Sequence, residues 1–302
     1  MGKDHQKERD VLFHIRRYNP DMDKRPYWQH FTVHVEGSMT VLDGLNLIRE
    51  IRDQTLSFRY SCRMGVCGSC AMLVNGRPSL ACSTRICEVA KEVLTVASLP
   101  NFDIIKDLVP DLTPLFDKHT SIRPYIIRND EAEMLNPTRE FYQSTRELIE
   151  CLQFTYCVKC GICISACPTM ATDREYIGPQ ALAQSYRYSK DSRDEGFNLR
   201  KNIVGGDHGV FRCHYAGECS NACPKGVDPA RAIQFMKREL VLDYLRLRRW
   251  KDKSPVCTRP VGVERRPDIP FAPAYTVLPK ENIALHGNGV VEQGTQVKRQ
   301  IN

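Results

Sequence analysis

The chain has 302 residues, 42% of them hydrophobic, and a formal net charge of +7, and this length predicts two domains. No run of about 18 apolar residues occurs, so no transmembrane helix is predicted. The charged first ten residues predict neither a secretory signal nor a transit peptide. So small a charge does not require a nucleic-acid or lipid partner, and we interpret the chain as a mildly basic cytoplasmic protein that binds no nucleic acid.

The first hundred residues predict strands around one helix. Val11–Arg17 and His30–Val35 are rich in β-branched and aromatic residues and flank a turn-forming segment, which is typical of a β-hairpin. Val41–Asp53 has apolar residues at helical spacing. A second hairpin is predicted around Asn75-Gly76, because this dipeptide favours a tight turn, and Val93–Val96 predicts a closing strand.

Helices are predicted in the second half of the chain, after a connector interrupted by prolines at positions 100, 110, 114 and 124. Apolar residues recur at helical spacing in Glu140–Phe154, Pro179–Ser189 and Asp228–Trp250, and the last of these has a broad apolar stripe. Prolines and few periodic apolar residues follow, so residues 251–302 are predicted to form an extended tail.

Fourteen cysteines are the most unusual feature of the composition. A cytoplasmic chain keeps its thiols reduced, so cysteines in tight groups indicate metal binding rather than disulfides. Thiolate ligands favour iron–sulfur clusters, zinc or copper(I).

The first group has the spacing C-x4-C-x2-C-x11-C, which is the pattern of plant-type [2Fe–2S] ferredoxins. Its members are Cys62, Cys67, Cys70 and Cys82. Gly65 and Gly68 lie between them and let the backbone wrap closely around a cluster, because glycine tolerates positive φ and has no side chain. A zinc ribbon and scattered core thiols are the alternatives, but zinc ribbons favour two separated C-x2-C pairs.

Two further groups have the spacing of bacterial two-cluster ferredoxins, in which the cysteine before a proline ligates the other cluster. One group comprises Cys157, Cys160, Cys163 and Cys167, followed by Pro168. The other comprises Cys213, Cys219 and Cys223, followed by Pro224. Exchange of the Cys-Pro cysteines predicts one cluster on Cys157, Cys160, Cys163 and Cys223, and another on Cys167, Cys213 and Cys219.

The number of thiolates predicts the cluster types. Four thiolates suffice for [4Fe–4S], whereas the set with Cys213 has only three, because Ala216 stands where a bacterial-type run would place a cysteine. We therefore predict [3Fe–4S] there. A [4Fe–4S] cluster whose fourth iron is bound by water or another residue is the alternative, and zinc is the alternative for the whole arrangement. Cys87, Cys151 and Cys257 match no spacing and are assigned no role.

Residues 10–250 resemble the iron–sulfur subunit of succinate dehydrogenase and fumarate reductase. Beyond the cysteines, the resemblance includes Arg17-Tyr18-Asn19-Pro20, Thr55-Leu56-Ser57-Phe58-Arg59, Ile105–Asp111 and Cys223-Pro224-Lys225-Gly226. It implies an α+β fold with an N-terminal β-grasp domain of the plant-type ferredoxin class (1–112) and a C-terminal all-helical domain of the bacterial ferredoxin class (113–250). Residues 251–302 are the predicted tail beyond them.

The resemblance also implies a function in succinate:quinone oxidoreductase, also called respiratory complex II. A flavoprotein subunit with FAD performs the succinate chemistry, so no catalytic residue is expected in this chain. Electrons would pass through [2Fe–2S], [4Fe–4S] and [3Fe–4S] to a quinone held by a membrane-anchor subunit. The implied location is peripheral, on the cytoplasmic face of the cell membrane. The alternative is a soluble or fumarate-reducing relative that uses the same relay in the opposite direction.

The candidate quinone site is Pro168, Thr169 and His214. Mitochondrial-type subunits carry an aromatic residue and a Trp pair after the Cys-Pro, whereas here the run is Thr169-Met170-Ala171-Thr172. This departure favours menaquinone or another acceptor over the ubiquinone-type geometry. Two interpretations of His214 stay open: a donor to quinone or proton relay, and a packing histidine.

Overall fold

The computed structural model describes residues 8–130 and 140–247. Of these, 8–127 and 143–247 group into one unit, and 128–130 with 140–142 belong to a second. In the second unit the Arg128 guanidinium lies 4.2 Å from the centre of the Phe141 ring. The predicted tail lies outside the described residues, and the predicted domain boundaries stay predictions.

The first part of the chain folds into a five-stranded mixed sheet of order β2-β1-β5-β3-β4. Its strands are β1 (Arg9–Arg17), β2 (Tyr27–Val35), β3 (Ala71–Val74), β4 (Arg77–Leu80) and β5 (Val93–Ala97). Strands β1 and β2 are antiparallel, as are β3 and β4, whereas β1 and β5 are parallel. Both predicted hairpins and the predicted closing strand are therefore confirmed.

Helix α1 (Val41–Leu47) covers the buried face of this sheet and continues as a π-helical turn, Ile48–Arg52. Thr40 and Asp43 form a capping box at its start. Alternate residues of β1 point into the core, where Val11, Phe13 and Ile15 are fully buried. The helix predicted over Val41–Asp53 is confirmed, with a change of helix type after Leu47.

The proline-rich connector contains elements that were not predicted. They are β6 (Ile104–Lys106), β7 (Val109–Pro110) and α3 (Thr113–Ser121). A further helix that was not predicted, α2 (Ile86–Val89), precedes the connector. Pro114 stands in the first turn of α3, where proline is tolerated because its missing N–H would have no intrahelical partner. Proline therefore marks the start of a helix here rather than an interruption.

Helices form the second part of the unit. They are α4 (Thr145–Thr155), α5 (Ile162–Ser165), α6 (Pro168–Thr172), α7 (Pro179–Lys190), α8 (Phe197–Val204), α9 (Glu218–Asn221) and α10 (Pro229–Tyr244). The prediction that a helix begins at Glu140 was wrong, because Ser144 and Glu147 form a capping box that starts α4. Asp228 caps α10, which ends at Tyr244 rather than at the predicted Trp250.

Helix α7 is the centre of the helical core, with α4 on one side and α10 on the other. Tyr186 of α7 stacks edge-on against Phe154 of α4 and lies near Phe235 of α10. A fully buried ion pair joins Arg200 to Asp194 at 2.6 Å. The same guanidinium donates to the carbonyls of Ile122, Arg123 and Tyr125, so this buried charge is satisfied from several sides.

Asn101 ties the sheet part of the unit to the cysteine-bearing helices. Its side-chain amide donates to carbonyls on both sides of the α5 terminus, those of Ile164 (2.9 Å), Ser165 (3.2 Å) and Cys167 (3.2 Å). In return, Ser165 Oγ donates to the carbonyl of Pro100 at 2.9 Å. These bonds join the segment that follows β5 to the second cysteine group.

Candidate metal centres

The first cysteine loop comprises Cys62, Cys67 and Cys70, with Cys82 returning beside it after the β3–β4 hairpin. Ala81 donates its N–H to the carbonyl of Cys70 at 3.0 Å. The N–H of Cys82 points to Cys70 Sγ at 3.5 Å. The hairpin therefore brings the fourth cysteine back to the first three, which the C-x11-C interval alone does not specify.

Backbone N–H groups in the first cysteine loop point at sulfur atoms. Gly65 donates to Cys82 Sγ at 3.2 Å, and Val66 and Cys67 both donate to Cys62 Sγ at 3.3 Å. Gly65 has φ +69°, the left-handed region in which glycine is not strained. Such donors stabilise thiolates and offset the negative charge of a bound cluster.

The thiols of this loop differ in their electrostatic environment. Backbone N–H groups of Cys62 and Ser69 lower the pKa of the Cys67 thiol to about 6. Burial raises the pKa of Cys70 to about 12. Met64 and Val66, at the tip of the loop, are 73% and 54% exposed, so the loop has a buried inner side and an apolar outer side.

The second set of cysteines surrounds one recess, here called the four-cysteine recess. Its sulfur-bearing residues are Cys157, Cys160, Cys163 and Cys223. Three of them flank the start of α5, which begins after Gly161 at φ +85°, and Cys223 follows α9. Burial raises the pKa of Cys160 to about 11 and raises that of Cys163 further, so a bound metal must displace these protons.

The third set surrounds a second recess, here called the three-cysteine recess. It is lined by Cys167, Cys213 and Cys219, with Ala216 on the loop that precedes α9. Pro168, Thr169 and His214 line the same recess, so the structure brings the candidate quinone residues together. Thr169 is buried and His214 is exposed.

In the part of the chain that the structure describes, no three or more His, Cys, Asp or Glu side chains are arranged to hold a single metal ion. The donor set is entirely thiol, and peptide N–H groups bond to sulfur at Cys213 and Cys223 as well as in the first loop. Thiolates with N–H donors on their sulfur atoms fit iron–sulfur clusters.

Sequence reasoning missed two residues that line these recesses. Tyr176 is fully buried in the wall of the three-cysteine recess, and its hydroxyl has no hydrogen-bond partner among the described residues. Burial, followed by the neighbouring Cys213, raises the pKa of Tyr176. Gln180 lines the four-cysteine recess, where its Nε2 lies 3.8 Å from Cys157 Sγ. Neither residue belongs to a recognisable spacing pattern, although both lie near the start of α7 at Pro179.

Two of the cysteines without a predicted role lie on helices, and neither of them lines a recess. Cys151 is buried on α4, and its thiol points to the carbonyl of Leu148 at 3.4 Å. Cys87 is half-buried on α2, and Cys257 lies outside the described residues. Within the described part of the chain, no helix is long and apolar enough to cross a membrane.

Comparisons with known proteins match both halves of the chain. Residues 12–117 match the family described as a 2Fe-2S iron-sulfur cluster binding domain. Residues 153–227 match the family described as a 4Fe-4S dicluster domain. The predicted plant-type and bacterial-type ferredoxin domains are thereby confirmed.

Curated relatives cover most of the chain. The fumarate reductase iron–sulfur subunit of Mycobacterium tuberculosis is 41% identical over 75% of this chain and 91% of its own length. The mitochondrial succinate dehydrogenase [ubiquinone] iron–sulfur subunit of Candida glabrata is 38% identical over 76% of this chain and 91% of its own length.

A solved structure supports the fold. A chain of the Mycobacterium smegmatis Sdh1 complex in the apo form matches with a TM-score of 0.70 at 24% identity, over 79% of this chain and 98% of that one. The predicted α+β fold and the predicted resemblance are both confirmed. The chain therefore belongs to the family of iron–sulfur subunits of succinate dehydrogenase and fumarate reductase, as a subunit of an oxidoreductase with [2Fe–2S] and [4Fe–4S] cluster domains.

Proposed function

We propose that this chain conducts electrons between the flavin of a flavoprotein subunit and a membrane quinone, with three iron–sulfur clusters held in its three cysteine sets. The proposed [2Fe–2S] ligands are Cys62, Cys67, Cys70 and Cys82. The proposed [4Fe–4S] ligands are Cys157, Cys160, Cys163 and Cys223, and the proposed [3Fe–4S] ligands are Cys167, Cys213 and Cys219. Clusters in these positions supply one-electron carriers.

The observation that carries this proposal is the exchange of cysteines between the two recesses. Cys223 faces the recess of the Cys157 group, and Cys167 faces the recess of Cys213 and Cys219. Chain segments that are far apart in sequence thus complete each other's sets, which is the arrangement of two-cluster ferredoxins.

Ala216 supports [3Fe–4S] as the cluster type of the three-cysteine recess. It lines that recess at the place where a fourth cysteine would be expected from the spacing, and its methyl group cannot ligate iron. A three-thiolate set leaves one corner of a cube without a protein ligand.

The protein's own part in electron transfer is to hold and tune these sites. Peptide N–H groups stabilise the thiolates. Four of the proposed ligand cysteines are also buried, namely Cys70, Cys82, Cys163 and Cys219. A Cβ on Gly68 of the first cysteine loop would come within 2.8 Å of the Cys160 Cβ. The loop of the first set therefore packs directly against Cys160 of the second set, which favours a short path for an electron between them.

The proposed quinone end is the rim of the three-cysteine recess, at Pro168, Thr169 and His214. His214 is exposed there, where an imidazole can donate to a quinone oxygen or relay a proton. The run Thr169-Met170-Ala171-Thr172 lacks tryptophan, which favours menaquinone. We place this end against a membrane-anchor subunit on the cytoplasmic face of the cell membrane.

We take succinate oxidation as the working direction, with the succinate chemistry on the FAD-bearing partner. Fumarate reduction is the second candidate, because the relative at 41% identity is named a fumarate reductase subunit. The cluster relay is the same in both directions, so the midpoint potentials and the quinone decide between them.

Electron paramagnetic resonance of the isolated complex, oxidised and then reduced stepwise, tests the proposal. We expect the signal of an oxidised [3Fe–4S] cluster, replaced on reduction by [2Fe–2S] and fast-relaxing [4Fe–4S] signals. A silent oxidised state would refute the [3Fe–4S] assignment, and a colourless protein that contains zinc would refute the relay.

A further inference from the structure

Tyr176 has a buried hydroxyl that no described residue satisfies. The residue is 0% exposed, stands just before α7 and lines the three-cysteine recess. A buried hydroxyl without a hydrogen bond costs free energy, and phenylalanine would fill the same space without that cost. The hydroxyl therefore indicates a partner inside the recess.

The same recess is lined by Cys167, Cys213 and Cys219, and after burial Cys213 contributes most to raising the pKa of Tyr176. A tyrosine keeps its proton at neutral pH and can donate it. Two other donors already approach Cys213: the N–H of Tyr215 lies 3.4 Å from its Sγ, and Lys237 Nζ donates to its carbonyl at 2.9 Å. Positive and dipolar groups thus concentrate on this cysteine.

We propose that Tyr176 Oη donates a hydrogen bond to the Cys213 thiolate when the three-cysteine recess holds its cluster, and thereby raises the reduction potential of that site. The proposal rests on the [3Fe–4S] assignment above. Reduction adds negative charge to the sulfur ligands, and a hydrogen bond from a donor is stronger to the more negative form. Tyr176 is therefore a residue that tunes the last site before the quinone.

Tyr176→Phe tests this proposal in the intact complex, because it keeps the ring that fills the core and removes only the donor. We expect unchanged iron and sulfide content, a [3Fe–4S] midpoint potential shifted to a more negative value, and an unchanged [4Fe–4S] midpoint in the same sample. Deuterium exchange followed by electron–nuclear double resonance should show one exchangeable proton coupling fewer on the oxidised signal than in the wild type.

Tyr215→Phe is the matched control. This tyrosine lines the same recess but is 61% exposed, so its hydroxyl is solvated and its loss should leave the midpoint unchanged. If the Tyr176→Phe protein kept the wild-type midpoint and the wild-type proton couplings, the proposed hydrogen bond would be refuted and the cluster assignment would stand. Absence of the [3Fe–4S] signal from the wild type would instead overturn the cluster assignment, and this proposal with it.

Discussion

Gly68 lies against Cys160 so closely that a Cβ on Gly68 would come within 2.8 Å of the Cys160 Cβ and 3.1 Å of its Cα. Gly68 belongs to the first cysteine loop, and Cys160 lines the four-cysteine recess. The absence of a side chain at position 68 thus allows the two cysteine-bearing segments to pack closely. Because electron tunnelling slows steeply with distance, this contact bears directly on the rate of transfer between them.

Gly68→Ala should therefore slow electron exchange between the first two clusters severalfold. The added Cβ meets the Cα and Cβ of Cys160 rather than the end of a flexible side chain, so the two loops must separate. Flash photoreduction followed by the redistribution of electrons between the cluster signals measures the rate.

Gly76→Ala is the matched control for the backbone cost. Gly76 has φ +76°, close to the +78° of Gly68, but nothing lies within 4 Å of its Cβ position. Both substitutions incur about 1 to 2 kcal/mol of left-handed strain, and only that at Gly68 adds the collision. Equal electron-exchange rates in the two variants would contradict the steric argument.

Asn101→Gly should weaken the connection between the sheet and the cysteine-bearing helices. Asn101 has φ +65°, which glycine adopts readily, so the substitution removes the side-chain bonds without backbone strain. Loss of a donor to buried carbonyls costs about 1 to 3 kcal/mol. The urea concentration at which half of the visible absorption of the clusters is lost should therefore be lower for Asn101→Gly than for the wild type.

Asn101→Asp keeps the size of the side chain but removes its amide donor, so it separates the effect of the donor from that of size. A carboxylate facing the carbonyls of Ile164 and Cys167 repels them, so this variant should bleach at lower urea than Asn101→Gly. If both variants bleached at the wild-type urea concentration, Asn101 would not hold these elements together.

Ala216→Cys should convert the three-cysteine site towards [4Fe–4S]. Ala216 lines the recess with Cys213 and Cys219, so a thiolate there can occupy the missing corner. We expect the oxidised [3Fe–4S] resonance to fall and the midpoint potential to drop, as measured by redox titration. Retention of the full wild-type resonance would mean that this loop is not the place of the missing ligand.

Cys167→Ser and Cys223→Ser form a reciprocal pair that tests the exchanged cysteines. Cys167 lines the three-cysteine recess and Cys223 the four-cysteine recess. The first variant should lose the [3Fe–4S] signal while keeping [4Fe–4S], and the second should do the opposite. The reverse pattern of losses would refute the exchange.

The cysteine pattern predicts more of this protein than its helical periodicity does. Cluster-binding loops require fixed intervals between cysteines, so the three groups can be recognised in the sequence before the fold is known. By contrast, α5, α6 and α9 have four or five residues each, which is too short for an apolar period to appear. The helix start predicted at Glu140 was wrong because apolar periodicity does not locate the terminus of a helix, whereas the cap at Ser144 does.

Tyr176 and Gln180 show what the sequence cannot predict. Each residue lines a recess whose other walls come from segments distant in sequence. Whether a hydroxyl is buried there depends on how those segments pack. A tyrosine and a glutamine near a Gly-Pro pair have no distinguishing interval. Only the structure reveals that both residues line a cysteine recess.

His119 gives a pH dependence that can be measured. It is buried on α3, with Nδ1 3.2 Å from Gln180 Nε2. Burial, followed by the charge of Lys159, lowers the pKa of His119 from 6.5 to about 4. The unfolded chain therefore takes up a proton first as the pH falls, so the stability due to neutral His119 is complete above about pH 6.5 and is lost as the pH falls through about 4.

Between pH 7 and pH 5 this linkage amounts to about 2 kcal/mol of lost stability. We expect the wild type to bleach at clearly lower urea at pH 5 than at pH 7, and His119→Gln to show a smaller difference, because glutamine has no proton to gain. His30→Gln, on an exposed residue of β2, should keep the wild-type difference. If His119→Gln kept it as well, other groups would have to carry the acid sensitivity, since a neutral side chain at position 119 cannot.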